Sequence, residues 1–105
     1  MKFLVNASYS AEGAKGVLQS GSGTKRKQMT EAMINDLGGT MESFYYATNC
    51  DAYVTCDLPN AAAAAAIALA IKASGLGSIT VTLLLETEEV DKATQMDVKY
   101  RHPLN

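Results

Sequence analysis

The fold of this chain is decided by residues 40 to 86, TMESFYYATNCDAYVTCDLPNAAAAAAIALAIKASGLGSITVTLLLE. Alternating apolar and turn-forming residues predict, in this order, the strand Thr40–Ala47, the strand Ala52–Asp57, the helix Asn60–Ala73 and the strand Ser78–Glu86. Asn49 and Asp51 favour a short antiparallel hairpin between the first two strands. The six alanines from Ala61 to Ala66 favour a helix, since alanine is the best helix former.

On the N-terminal side, this stretch is preceded by one more strand and a helical region. Phe3–Tyr9 predicts a strand whose odd-numbered side chains face the helices. Ser10–Leu37 is predicted to be helical, with a break at Ser20–Gly23 because two glycines within three residues oppose a continuous helix. Thr24 is expected to cap the second segment. The inward face of that segment is predicted to consist of Met29, Ala32, Met33 and Leu37.

On the C-terminal side, Thr87 is expected to cap a charged helix with Glu88 and Glu89 in its first turn. The complete order is βαββαβ with a C-terminal helix, which predicts an α+β fold of the ferredoxin-like plait type. The chain of 105 residues has room for one domain, residues 1–105. This fold hosts many unrelated activities, so it does not assign a function.

Composition and charge argue against several classes of partner. The net charge is −2, and the basic cluster Lys25–Lys27 contains no aromatic residue, so we expect no nucleic-acid binding. The apolar stretch Ala61–Ala73 is shorter than the roughly 20 residues that a membrane span needs. The chain begins directly with a strand and shows no signal segment, so a cytoplasmic location is expected.

The two cysteines are predicted to be free, buried or half-buried thiols. Cys50 and Cys56 lie on or just before one predicted strand, about 20 Å apart at about 3.3 Å per residue. A disulfide requires Cα atoms within about 7 Å of each other. Neither cysteine belongs to a CxxC pair, and His102 alone completes no zinc set, so we expect no metal and no cofactor.

The face of the sheet away from the helices is expected to be unusual for a solvated surface. It would carry Asn6, Ser8, Tyr53, Thr55, Thr80, Thr82 and one of two aromatic sets from Thr40–Ala47. Either Met41 and Tyr45 or Phe44 and Tyr46 could point inward, and the sequence leaves this open. Such a semi-polar face predicts a homo-oligomer of the dimeric α+β barrel type.

Several segments together resemble the GYD domain family of small bacterial proteins over essentially the whole chain. They are Ser10–Gly16, Leu37–Gly39, Phe44–Ala47, Asp57–Ala62 and Glu88–Asp91. The resemblance implies a ferredoxin-like plait, a bacterial cytoplasmic setting and homo-oligomerisation, and it implies no defined activity. The hairpin that names the family reads Asn49-Cys50-Asp51 here, and Asp51 alone keeps its counterpart.

The strongest candidate for ligand binding is the loop and helix start from Gly21 to Arg26. Gly23, Thr24 and Arg26 could bind a carboxylate or phosphate there, since helix starts attract anions. The alternative interpretation is a solvated helix start beside a flexible connector.

Four further groups are candidate ligand contacts, each with a structural alternative. Tyr9, Glu12 and Lys15 could lie at the mouth of the first strand–helix turn, or form an ordinary helix start. Tyr45, Tyr46 and Tyr53 could line a cavity, or form cross-strand packing. Arg101 and His102 could fold over a neighbouring subunit, or belong to a mobile tail. Asp51 most simply has a turn role.

No catalytic set is visible, so three functions stay open. The favoured one is an oligomeric protein that binds a small semi-polar or anionic molecule between its sheet and a neighbouring subunit. The second is a cofactor-free enzyme, similar to the monooxygenases and isomerases that are dimeric α+β barrels. The third is a structural or regulatory subunit that binds another protein through its sheet.

Overall fold

A computed structural model describes residues 1–103 of the chain; the last two residues of the predicted domain lie outside this range. In chain order the elements are β1 (Lys2–Tyr9), α1 (Ala11–Ser20), α2 (Gly23–Asp36), β2 (Thr40–Tyr46), β3 (Ala52–Asp57), α3 (Ala61–Ser74), β4 (Gly77–Leu84) and α4 (Thr87–Thr94). The predicted α+β order is confirmed. The last strand ends at Leu84 rather than Glu86, because Glu86, and not Thr87 as predicted, is the N-cap of α4.

The four strands form one antiparallel sheet in the order β2-β3-β1-β4. β1 is central, so Val5 lies opposite Val54 on one side and Val81 on the other. The odd-numbered side chains Phe3 and Val5 are buried beneath the helices, as predicted. The core cluster comprises Phe3, Val5, Ile34, Val54, Cys56, Leu58, Ala63, Ala64 and Ile67.

A β-bulge in β2 determines which of its side chains face the core, and these include one residue from each of the two predicted sets. The register with β3 shifts between Met41 and Ser43. Met41 lies opposite Cys56 and Phe44 opposite Val54, and both pack against the core. The bulge therefore places on one face two residues that a regular alternation would separate.

The opposite face of the sheet carries no helix and is named the open face. It consists of Leu4, Asn6, Ser43, Tyr45, Tyr53, Thr55, Thr80 and Thr82. Tyr45 lies opposite Tyr53 on the neighbouring strand. Both residues are exposed, and their accessible fractions are 72% and 41% respectively. An apolar pair is thus presented to the outside at the β2–β3 edge.

The break between α1 and α2 is confirmed, but the second helix is capped differently from the prediction. Gly21 ends α1 in the left-handed conformation with φ 64°, and Ser22, not Thr24, caps α2 by accepting a hydrogen bond from the Lys25 N–H at 3.2 Å. Glycine suits that φ because it has no Cβ to clash.

The inward face of α2 is also displaced from the predicted one. Ile34 is the buried residue of the helix, whereas Met29 is 63% accessible and Ala32 is exposed. Thr30, Met33, Ile34 and Leu37 recur at three- and four-residue spacing and face the sheet. The apolar residues alone suggested a stripe about one position away, because Met29 and Ala32 fit the same period.

The C-terminal part of the chain projects from the packed layers. Every residue of α4 is exposed. This C-terminal part contains several exposed residues with large apolar side chains, namely Leu85, Val90, Met96, Val98 and Tyr100. Within residues 1–103, no helix is both long and apolar enough to cross a membrane.

The two cysteines differ in their surroundings. Both are free; Cys56 is buried in the core and Cys50 is exposed. The expectation of a buried or half-buried thiol is therefore wrong for Cys50. It occupies the β2–β3 hairpin turn with φ 68°, and its N–H donates to the Ala47 carbonyl at 2.8 Å.

Candidate functional site

A cavity of about 330 Å³ lies between the sheet and the two helices α2 and α3. It opens at the end of the sheet where β1 and β2 finish and β3 and β4 begin. Its walls are mainly apolar: Val5, Ala7, Met29, Met33, Ile34, Phe44, Ala52, Val54, Ile71 and Leu76. The lining is completed by Ser8, Tyr9, Arg26, Thr30, Ser74, Gly77 and Ser78.

Arg26 is the cationic side chain of this lining, and two neighbours define its position. Its guanidinium carbon lies 5.8 Å from the centroid of the Tyr9 ring, within the range of a cation–π contact. The group also approaches α1, because a Cβ added to Gly16 would lie 2.9 Å from Nη2. Arg26 thus lies near both the Tyr9 ring and α1, and it is only partly exposed.

Arg26 has no acidic partner among residues 1–103. The ion pairs in this part of the chain join Met1 to Asp57, Lys2 to Glu42, Glu12 to Lys15 and Asp97 to Lys99. The described cavity lining contains no aspartate or glutamate. A half-buried guanidinium beside an apolar cavity therefore keeps its capacity to bind an anion.

A chain of two hydrogen bonds supports the Tyr9 ring. The Tyr46 hydroxyl donates to the Gly23 carbonyl oxygen at 3.1 Å, and the two phenol oxygens of Tyr9 and Tyr46 are 3.5 Å apart. Partial burial, and next the hydrogen bond with Tyr9, raise the pKa of Tyr46 well above its usual range. Tyr46 therefore stays a protonated donor at physiological pH.

Two hydroxyl groups in the lining are already used by the backbone. Thr30 Oγ1 donates to the Arg26 carbonyl at 2.8 Å, and Ser74 Oγ donates to the Ile71 carbonyl at 2.7 Å. Their protons are thus committed within the helices, which leaves the Arg26 guanidinium as the strongest donor facing the cavity.

The structure brings together four of the residues proposed from sequence. Tyr9 and Arg26 line the cavity directly. Gly23 and Tyr46 lie outside the lining, and Tyr46 forms hydrogen bonds with Tyr9 and with the Gly23 carbonyl oxygen. These residues belong to β1, α2 and β2, so candidates that are distant in the sequence lie close together at one end of the sheet.

The other proposed residues lie elsewhere. Glu12 and Lys15 form an exposed ion pair at 3.7 Å on α1, and Thr24 is exposed. Tyr45 lies on the open face. The Asp51 N–H donates to Asn49 Oδ1 at 3.0 Å in the hairpin, which agrees with a turn role. Arg101 and His102 belong to the projecting C-terminal segment.

The walls of the cavity were not anticipated from the sequence. Phe44, Met33 and Ile71 look like ordinary core residues, because the same apolar types fill cores and pockets. One signal in the sequence could have located the cavity. Arg26, Thr30, Met33 and Ile34 recur at three- and four-residue spacing on α2, so a cationic residue lies on the same helix face as inward apolar residues.

Metal binding finds no support in the described residues. Within residues 1–103 no three histidine, cysteine, aspartate or glutamate side chains are grouped to hold a metal ion. The arrangement can instead enclose the apolar part of a small molecule and present one positive charge to it.

Comparison with known proteins gives one finding at the level of the family. No curated protein and no solved structure matches the chain. The model of the GYD domain matches residues 3–94, a range that includes all four helices, the whole cavity lining and every strand residue except Lys2. Because the match covers most of the chain, this protein belongs to the GYD domain family.

Proposed function

We propose that this GYD domain protein is a homo-oligomeric binding protein for a small semi-polar or anionic molecule. In this proposal its fold is a ferredoxin-like plait of the dimeric α+β barrel type. The observation that carries the proposal is the cavity of about 330 Å³ under α2 and α3, with Arg26 at its lining.

The size and the lining of the cavity support a ligand rather than a packing defect. Protein interiors are close-packed, and voids larger than a water molecule are few. Ligand pockets of small molecules are mostly apolar clefts of about 300 to 1,000 Å³ with a few polar groups. The cavity matches that description, since Arg26 is a charged group within otherwise apolar walls.

The proposed ligand site differs from the one expected from the sequence. The expectation put the ligand between the sheet and a neighbouring subunit, whereas the cavity lies on the helix side of the sheet of one chain. Ligand binding and oligomer formation therefore use opposite faces of the sheet. The open face stays available to a second copy.

The oligomer is supported by apolar groups that the chain itself does not cover. Tyr45 and Tyr53 are exposed on the open face, and Val98 and Tyr100 are 77% and 80% accessible in the C-terminal segment. Contiguous exposed apolar surface typically marks an interface. A second copy of the chain would bury the tyrosine pair in a symmetric contact.

An enzymatic function is the alternative, and the cavity gives it little support. The described lining contains no histidine, cysteine or carboxylate that could act as a general acid or base. The bacterial cytoplasmic setting stays a prediction from the sequence.

Native mass spectrometry of the freshly purified protein tests the proposal. We expect an oligomer that carries a reproducible extra mass, and we expect Ala7→Leu to lose that mass because the larger side chain fills the cavity. Ala65→Leu adds the same atoms at an exposed position of α3 and is the control. A monomer at micromolar concentration would contradict the oligomer. A passenger retained by folded Ala7→Leu protein would contradict the cavity as the site.

A further inference from the structure

The guanidinium of Arg26, which has no acidic partner within residues 1–103, indicates a narrower class of ligand than small semi-polar molecules in general. Resting on the proposed function, we propose that the cavity binds a monocarboxylate with an apolar body, and that Arg26 binds its carboxylate. The apolar body would lie between the sheet and α2, toward Val5, Val54 and Ile34.

The geometry of Arg26 favours a planar anion. A guanidinium presents a fork of N–H donors that matches the two oxygens of a carboxylate. The contacts with the Tyr9 ring and with α1 at Gly16 restrict the Arg26 side chain, so less rotamer freedom is lost when the anion binds.

The number of charges favours a single negative charge. The neighbouring cations Lys25 and Lys27 are exposed and do not belong to the cavity lining. A phosphate monoester carries up to two negative charges at neutral pH and would retain uncompensated charge beside apolar walls. A carboxylate is neutralised by one guanidinium.

The length of the lining favours an extended apolar body. The walls run from Leu76 and Ile71 near the mouth to Val5, Val54 and Ile34 in the core. This surface offers dispersion contacts and no further charge, so a second polar group on the ligand would be buried without a partner there.

Isothermal titration with matched probes tests the inference. Octanoate and phenylpropanoate are compared with octanamide and phenylpropanamide, and octyl phosphate is the third arm. We expect each acid to bind about 10- to 100-fold more tightly than its amide, the range for a hydrogen-bonded charged group. Equal affinities of acid and amide, or tighter binding of octyl phosphate, would overturn the carboxylate assignment.

Variants of Arg26 connect the effect to this side chain. Arg26→Gln should reduce the affinity for the acids to that for the amides, and Arg26→Lys should give an intermediate affinity. Lys27→Gln removes the same charge from an exposed position of α2 and should leave the affinities unchanged. Undiminished binding of the acids by folded Arg26→Gln protein would overturn the inference.

A variant that retains Arg26 separates the loss of the guanidinium contact from a loss of folding. Gly16→Ala places a methyl group against Nη2 and should displace the guanidinium, while alanine favours the helix. We expect weaker binding of the acids with an unchanged or higher unfolding midpoint. Unweakened acid binding by Gly16→Ala would count against the proposed position of the guanidinium.

The same titrations separate this inference from the proposed function. If acids and amides bind equally and Ala7→Leu abolishes both, the cavity is a ligand site and the role of Arg26 is wrong. If no probe binds and the purified protein carries no extra mass, the proposed function itself fails.

Discussion

The Tyr46 hydroxyl donates a hydrogen bond to the Gly23 carbonyl oxygen, 3.1 Å away, and this bond joins the end of β2 to the first residue of α2. A side chain at position 23 would contact the ring, since a Cβ there would lie 3.0 Å from Tyr46 Cε2. The Phe44 ring supports Tyr46 edge-on, with centroids 5.1 Å apart. The start of α2, and with it Arg26, is therefore positioned by the sheet.

Removal of this hydroxyl should destabilise the protein measurably. We expect Tyr46→Phe to lower the free energy of unfolding by about 1 kcal/mol, because the Gly23 carbonyl and the Tyr9 hydroxyl both lose a partner. Urea denaturation followed by circular dichroism measures the change. Tyr45→Phe, on the open face, is the matched control and should change stability by less than about 0.5 kcal/mol. Equal effects of the two substitutions would contradict a structural role of the bond.

Alkaline titration should reveal the raised pKa of Tyr46. Its pKa is raised in the folded state, so the folded protein retains a proton that the unfolded chain releases above pH about 10. The stability from this group is complete below that pH and is lost as the pH rises further. Phenolate absorbance should show a late-titrating phase, and this phase should be missing in Tyr46→Phe. A late phase that persists in the variant would assign the shift to another tyrosine.

The order of strands and helices could be predicted because its signals are local. Ser10 and Asn60 cap α1 and α3, and the side chain of each accepts a hydrogen bond from the backbone N–H of the residue three positions later. The β2 bulge could not be predicted, since the shift between Met41 and Ser43 depends on pairing with a different strand.

The candidate site could be predicted only where it is polar. Arg26 and Tyr9 were recognisable as candidates because a cation beside glycines and a tyrosine at a strand end differ from core residues. Met33 and Ile71 give no such signal, and the space between them depends on how α2 and α3 sit on the sheet. The position of a cavity is a property of packing, which the sequence pattern does not contain.

Gly13 should be intolerant of any side chain. A Cβ there would overlap the Leu76 carbonyl oxygen, which also accepts the hydrogen bond of the Ser10 N–H at 2.9 Å. We expect Gly13→Ala to lower the free energy of unfolding by about 1 to 3 kcal/mol despite the better helix propensity of alanine. Gly16→Ala on the same helix meets only the end of Arg26 and should be neutral or stabilising in the same urea denaturation. Equal destabilisation by both substitutions would show that close approach at Gly13 is not the cause.

The two thiols should react at very different rates. Cys50 is exposed, whereas Cys56 is 0% accessible and burial raises the pKa of its thiol. We expect a disulfide reagent to label one thiol rapidly in the native protein and the second only on unfolding, because thiolate character and access both control the reaction. Cys50→Ser should remove the rapid phase. A rapid phase that remains in this variant would mean that the core around Cys56 opens readily.

The open face should be the surface through which two copies of the chain associate. Tyr53→Lys introduces a charge beside Tyr45 and, in a symmetric dimer, brings two like charges into the buried contact. We expect sedimentation velocity to show dissociation to the monomer at micromolar concentration. Leu69→Lys makes a comparable change on α3, at a residue that is 68% accessible and outside the sheet, and should leave the oligomer intact. If Leu69→Lys dissociates the oligomer and Tyr53→Lys does not, the interface is formed by the helices and not by the open face of the sheet. The helix layer would then be shared between copies, and the cavity beneath it would be closed by a neighbouring chain rather than by one chain alone.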